Sequence, residues 1–106
     1  MDLKQAAEET GISVEAYERL CRIFVQNGKA DIEDLRKALE ERDQDAIASL
    51  AHHIKGAAIN FDFSRLSNIA LNIEKKAKAG FIEGISNEFS VLEMEFNDIA
   101  ESLDET

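Results

Sequence analysis

The sequence predicts an all-α domain in which the last four helices form an antiparallel up-down four-helix bundle, with N-terminal helices packed on it. Three observations carry that prediction. Proline is absent and only 5 of the 106 residues are glycine, too few turn formers for a sandwich or barrel of many short strands. Near the C-terminus Ile85, Phe89, Leu92, Phe96, Ile99 and Leu103 recur at alternating four- and three-residue steps, the seam of a bundle helix. The connections between helical segments are short, which favours antiparallel neighbours. A chain of 106 residues is enough for one domain and a modest core. We expect a single domain over 1–106, with 1–28 as covering helices and 31–103 as the bundle.

In chain order, Asp2 is placed to cap a short helix that Thr10-Gly11 ends. Ser13 caps a second, with Val14, Tyr17, Cys21, Phe24 and Val25 on one stripe, and Asn27-Gly28 is expected to stop it. Asp31 is expected to cap a third, Ile32 to about Arg42, with Ile32, Leu35 and Leu39 inward and Glu33 and Asp34 suiting its dipole. Asp43 then breaks and recaps the chain into a helix over Gln44 to Asn60. Phe61-Asp62-Phe63 connects onward, its phenylalanines plugging the bundle end. Ser64 is expected to cap the next helix, with Leu66, Ile69, Ala70, Ile73 and Ala77 inward and Gly80 at its end. The last helix runs from about Ile85 to Leu103, and Asp104-Glu105-Thr106 should fray.

A formal net charge of −10 argues against nucleic acid and against an anionic membrane surface as partners. The single cysteine, Cys21, excludes an internal disulfide and fits a reducing compartment. It falls on an apolar stripe, as a buried inert thiol does. No apolar run approaches the ~20 residues of a membrane span, and the N-terminus does not read as a signal peptide. Together these predict a cytoplasmic protein. The seam residues are all needed internally, so we expect a monomer.

The stretch Leu50 to Phe61 carries the chemistry. At about 100° per residue, Ile47, Leu50, Ala51, Ile54, Ala57, Ala58 and Phe61 share one arc. His52 lies roughly 160° from its centre and points at solvent; His53, about 100° away, is expected to be tucked at the boundary. The outer strip is Ala48, His52, Lys55, Gly56 and Ile59. A mid-helix glycine costs about 0.5–1 kcal/mol relative to alanine, which suggests close approach of another molecule. A surface histidine in a helix that happens to hold a glycine explains the wheel equally well. Adjacent histidines diverge on a helix and no Glu-x-x-His spacing occurs, so a metal site is not expected. No nucleotide-binding loop is present either, so the chain is read as a non-enzyme that does not make phosphohistidine from ATP.

The string Ala51-His52-His53-Ile54-Lys55-Gly56-Ala57-Ala58 resembles the signature of histidine-containing phosphotransfer (HPt) domains, and Ala70 to Gly80 resembles that family's next helix. The departures are Ile54 for the commoner Leu, Ala57 where Ser is frequent, and Asp62 where Gly is frequent. The resemblance implies a histidine phosphocarrier in a two-component phosphorelay. His52 would accept a phosphoryl group from a receiver-domain aspartate and pass it to another receiver. Lys55 and Gly56 would contact the phosphoryl group and partner, flanked by Ala48 and Ile59. Glu74 and Lys78 match positions that lie near the histidine in relatives, Glu74 to orient the ring and Lys78 to neutralise charge; a solvated surface pair at i, i+4 is the competing reading. The implied partners are receiver domains of response regulators and hybrid sensor kinases. No cofactor is implied for this chain, Mg²⁺ being expected on the receiver. The alternatives are a non-phosphorylated helical adaptor that binds such partners and a metal or redox bundle.

Overall fold

The computed structural model describes residues 3–104, with side-chain surroundings for 4–103. It contains five α-helices: α1 (Leu3–Thr10), α2 (Val14–Glu40), α3 (Gln44–Asn60), α4 (Ser64–Lys78) and α5 (Ile85–Asp104), with a 3₁₀ turn at Ile82–Gly84. The domain is a rod of 43 × 20 × 17 Å. Helix α2, about 40 Å long at 1.5 Å per residue, runs its length. Helices α2, α3, α4 and α5 pack round a shared core, and α1 lies on the N-terminal part of α2. The all-α bundle expected from the sequence is thus the observed fold.

The helix ends explain the short connections. Gly11, Arg42, Asp62 and Gly80 all have positive φ, each just beyond a helix. At all four ends the same paired bonds close the last turn: Ile12 N to Ala7 O with Gly11 N to Glu8 O, Asp43 N to Ala38 O with Arg42 N to Leu39 O, Phe63 N to Ala58 O with Asp62 N to Ile59 O, and Phe81 N to Lys76 O with Gly80 N to Ala77 O. This is the Schellman arrangement, in which a left-handed residue reverses the chain and satisfies orphan carbonyls. Glycine suits that position best; Arg42 and Asp62 adopt it at some cost. At the N-termini, Ser13 Oγ accepts from Ala16 N and Asp43 Oδ1 accepts from Ala46 N, both at 3.1 Å, as expected. Ser64 does not cap: it is the first helical residue, after Phe63, which offers no side-chain cap. The expected cap at Asp2 and the fraying of Glu105-Thr106 lie outside the described residues.

The main correction concerns Asn27-Gly28. These residues do not end a helix, and Asp31 does not cap one: residues 14–40 are a single helix, and 28–31 is no boundary between a covering part and the bundle. Sequence reasoning took Gly28 as a stop, whereas it is a packing gap. A β-carbon there would sit 2.7 Å from Phe96 Cζ. The Phe96 ring, buried and packed against Phe24 with centroids 5.9 Å apart, lies over bare backbone. Phe24, Ile32 and Leu35 carry the buried stripe across the glycine. The larger core joins these residues to Ile47, Ala51 and Ile54 of α3, Leu66, Ala70 and Ile73 of α4, and Ile85, Phe89 and Leu92 of α5. A second cluster of Ala7, Tyr17, Cys21 and Leu103 seals α1 to the far end. Cys21 is buried and free, and burial pushes its thiol up.

Gly28→Ala should therefore destabilise the fold although alanine is the better helix former. Overpacking costs about 1–3 kcal/mol, against about 0.5–1 kcal/mol gained in propensity. Urea unfolding checks this; a midpoint unchanged or raised would mean that Phe96 does not need the gap.

Candidate functional site

Helix α3 is set by what it buries. Ile47, Ala51, Ile54 and Ala58 are buried, so the residues between them are turned outward. His52, Gly56 and Ile59 are exposed, and Lys55 is half-buried. Ala48, expected on the outer strip, is half-buried and packs against the core. The small side chains Ala51 and Ala58 of α3 and Ala70 and Ala77 of α4 are buried in the same core, and these two helices pack closely along their length.

That packing brings Glu74 to His52. Among the described residues Glu74 is the one charged side chain that is buried, at 4% exposure. Its Oε2 lies 2.8 Å from His52 Nδ1, and its Oε1 accepts from Lys55 Nζ at 2.9 Å. Lys78 Nζ approaches Oε2 at 3.1 Å. A buried charge persists only when paired and hydrogen-bonded, and this carboxylate is paired from two helices. Lys55 above all, then Lys78 and His52, hold its carboxyl down to about 2, over the opposing effect of burial.

The network fixes the chemistry of the ring. An ionised carboxylate can only accept hydrogen bonds, so in the neutral imidazole the proton sits on Nδ1, donated to Glu74. Nε2 is then the nitrogen with the free lone pair. His52 is 66% exposed, so a nucleophilic nitrogen is presented on an open face with two ammonium groups within one hydrogen-bonded cluster. At Gly56, one turn on, an added β-carbon would meet nothing within 4 Å. Nothing inside the domain requires that glycine, in contrast to Gly28.

His53 corrects the helical wheel. Its side chain is as exposed as that of His52, at 66%, and is not tucked at the boundary. Its Nδ1 lies 2.9 Å from Asp31 Oδ2 on α2. The two rings thus differ in partner rather than in exposure: His52 joins the α4 cluster and His53 joins α2. On the α2 side, Leu20, Ile23, Phe24, Ile54 and Ala57 line an apolar groove of about 190 Å³, with Asp31 and His53 at it as well.

Sequence reasoning left the burial of Glu74 open. The signal was there: Glu74 falls between Ala70 and Ala77 on the same arc as Ile73, the buried stripe of α4. Among the described residues no group of three or more His, Cys, Asp or Glu side chains is placed to hold a metal ion, and no helix is long and apolar enough to cross a membrane.

Comparison with known proteins bears on the fold and the family. The crystal structure of histidine-containing phosphotransfer protein B from Pseudomonas aeruginosa PAO1 matches the fold with a TM-score of 0.87 at 22% sequence identity, over 97% of this chain and 87% of that one. No match was found among curated proteins. The family model of the Hpt domain matches residues 19–105, which includes α3, α4 and the whole His52 cluster. The chain belongs to the Hpt-domain family, the histidine phosphotransfer domains of phosphorelays.

Proposed function

We propose that this chain is a phosphocarrier that takes a phosphoryl group onto His52 from an aspartate of one receiver domain and passes it to an aspartate of another. The observation that carries the reading is the buried Glu74 carboxylate, which occupies Nδ1 and leaves Nε2 as the nucleophile on an exposed face. Phosphoryl transfer demands mainly in-line positioning and neutralisation of charge on the equatorial oxygens. Lys55 and Lys78 are near enough to turn from Glu74 toward those oxygens as mobile point charges. The bare backbone at Gly56 lets the receiver press close, with Ile59 exposed beyond it and Ala48 small before it. The apolar groove between α2 and α3, flanked by exposed Leu20 and Ile23, offers the receiver an anchoring surface. The Mg²⁺ that neutralises an aspartyl phosphate belongs to the receiver in this scheme, and this chain contributes the nucleophile and its cations. The partners would be response regulators and hybrid sensor kinases, met in the cytoplasm by a monomer. A binding-only adaptor would have no use for a buried carboxylate that orients an outward ring.

Incubation with a phosphorylated receiver should give acid-labile, base-stable label on the chain. His52→Ala should abolish it and His53→Ala should keep it; label that survives His52→Ala refutes the assignment. Gly56→Ala should raise stability by about 0.5–1 kcal/mol, the helix-propensity gain, and yet slow transfer from the receiver; unchanged transfer would remove the close-approach argument. Glu74 makes stability pH-dependent. Its carboxyl is at about 2 in the folded chain against an ordinary 4.5, so its stabilisation is complete above about 4.5 and is lost as pH falls toward 2. Two of its partners, His52 and Lys78, are exposed, so solvent screening reduces the conversion of that shift and the loss should be about 1 kcal/mol. Wild type should therefore lose its stability advantage over Glu74→Gln across that window in urea titrations; a constant difference would contradict the pairing.

A further inference from the structure

We propose that the α2 side of the His52 face selects receivers by charge: a receiver docked on His52 brings a lysine or arginine onto Asp31, beside the apolar side chain that it seats in the groove between α2 and α3. This rests on reading His52 as the acceptor for a receiver, and it concerns which receivers dock.

Docking on His52 covers more than His52. A standard interface takes about 800 Å² from each partner, a disc of roughly 16 Å radius. Packed helix axes lie about 8–10 Å apart, and His53 is the residue next to His52. A receiver whose aspartate reaches the His52 ring therefore also covers His53, the mouth of the groove, and Asp31 of α2, whose Oδ2 lies 2.9 Å from His53 Nδ1. The two flanks of this face differ in charge. On the α4 flank Lys55 and Lys78 meet Glu74, and Lys75, three residues before Lys78, is exposed. On the α2 flank stands Asp31, with exposed Asp34 three residues on along the same helix face. The groove beside Asp31 is walled by Leu20, Ile23, Phe24 and Ile54, and none of the described residues lining it is a lysine or arginine.

The two carboxylates are satisfied differently. Glu74 is fully buried and has two ammoniums and a ring around it. Asp31 is 18% exposed and meets the His53 ring, which carries charge only when protonated. In the free chain water reaches Asp31 and a neutral ring beside it is enough. A docked partner takes that water away, and an acid covered without a counter-charge is costly. The neutral ring does not cancel the charge, so the partner must. Lysine and arginine are the side chains that bring a cation and several hydrogen-bond donors at neutral pH. The net charge of −10 favours a basic approach to this flank in the same sense. A receiver with aspartate or glutamate at that spot is turned away by like charge, which is discrimination by repulsion as well as by attraction. Asp31 is on this view a specificity residue: it chooses the partner and does not touch phosphorus.

The probe is a phosphorylated receiver domain that labels the wild-type chain on His52. Initial transfer rates are measured against receiver concentration for wild type, Asp31→Asn and Asp31→Lys, with helical content checked by circular dichroism. Asp31→Asn keeps the shape of the side chain and removes its charge. It should raise KM about tenfold, as loss of one partner of a covered charge pair does, and leave kcat within about twofold. Asp31→Lys should raise KM further. Lysines and arginines of the receiver are then replaced by glutamate one at a time; one such variant should transfer poorly to wild type and regain a low KM with Asp31→Lys. An unchanged KM in Asp31→Asn overturns the proposal, and so does the absence of any receiver position that Asp31→Lys rescues. A wild-type KM that falls between about pH 8 and about pH 6, and no longer does so in His53→Gln, also overturns it, because the ring would then supply the cation. If no receiver labels His52, the acceptor reading fails and this proposal with it. Label on His52 with KM unmoved in Asp31→Asn defeats this proposal alone.

Discussion

The site depends on one buried carboxylate. Glu74 sits at 4% exposure among apolar neighbours of α4, a position that is costly for a charge unless several donors meet it. Lys55, Lys78 and the His52 ring supply those donors from two helices. The same contacts that make the burial tolerable decide which imidazole nitrogen is free and keep two cations close to it. The stability of the α3–α4 pair and the reactivity of the histidine are thus consequences of a single placement. Removing the acid would leave two ammoniums to find other partners and the ring free to turn.

The bundle serves that placement. Four helices are reversed by left-handed residues, and small side chains at Ala51, Ala58, Ala70 and Ala77 are buried in the core that α3 and α4 share. Two mid-helix glycines have opposite roles. Gly28 is required from inside, because the Phe96 ring occupies the space that a side chain would need. Gly56 faces open space, and its cost in helix propensity of about 0.5–1 kcal/mol has no internal return. In the proposed function, that bare backbone is where a partner comes close to His52.

Much of this was legible in the sequence, for identifiable reasons. The bounds of α3, α4 and α5, the caps at Ser13 and Asp43, and the outward face of His52 follow from apolar spacing and cap chemistry, which are local. What was missed is tertiary. Asn27-Gly28 reads as a stop until Phe96, far along the chain, is seen to fill the gap. Arg42 and Asp62 take left-handed turns that composition would assign to glycine. His53 looked like a boundary residue because the wheel does not know that α2 leaves its ring exposed and meets it only with Asp31. Glu74 stood on the buried arc of α4, but a lone helix cannot say whether an acid there is solvated or caged; only the facing Lys55 and His52 decide that.

The central claim is that the carboxylate reserves one ring nitrogen and offers the other. It is tested most directly by locating the phosphoryl group atom by atom, through ¹⁵N–³¹P coupling in the ¹⁵N-labelled, phosphorylated chain. The account predicts coupling to Nε2 of His52. Phosphorus bonded to His52 Nδ1, or to either nitrogen of His53, would contradict it.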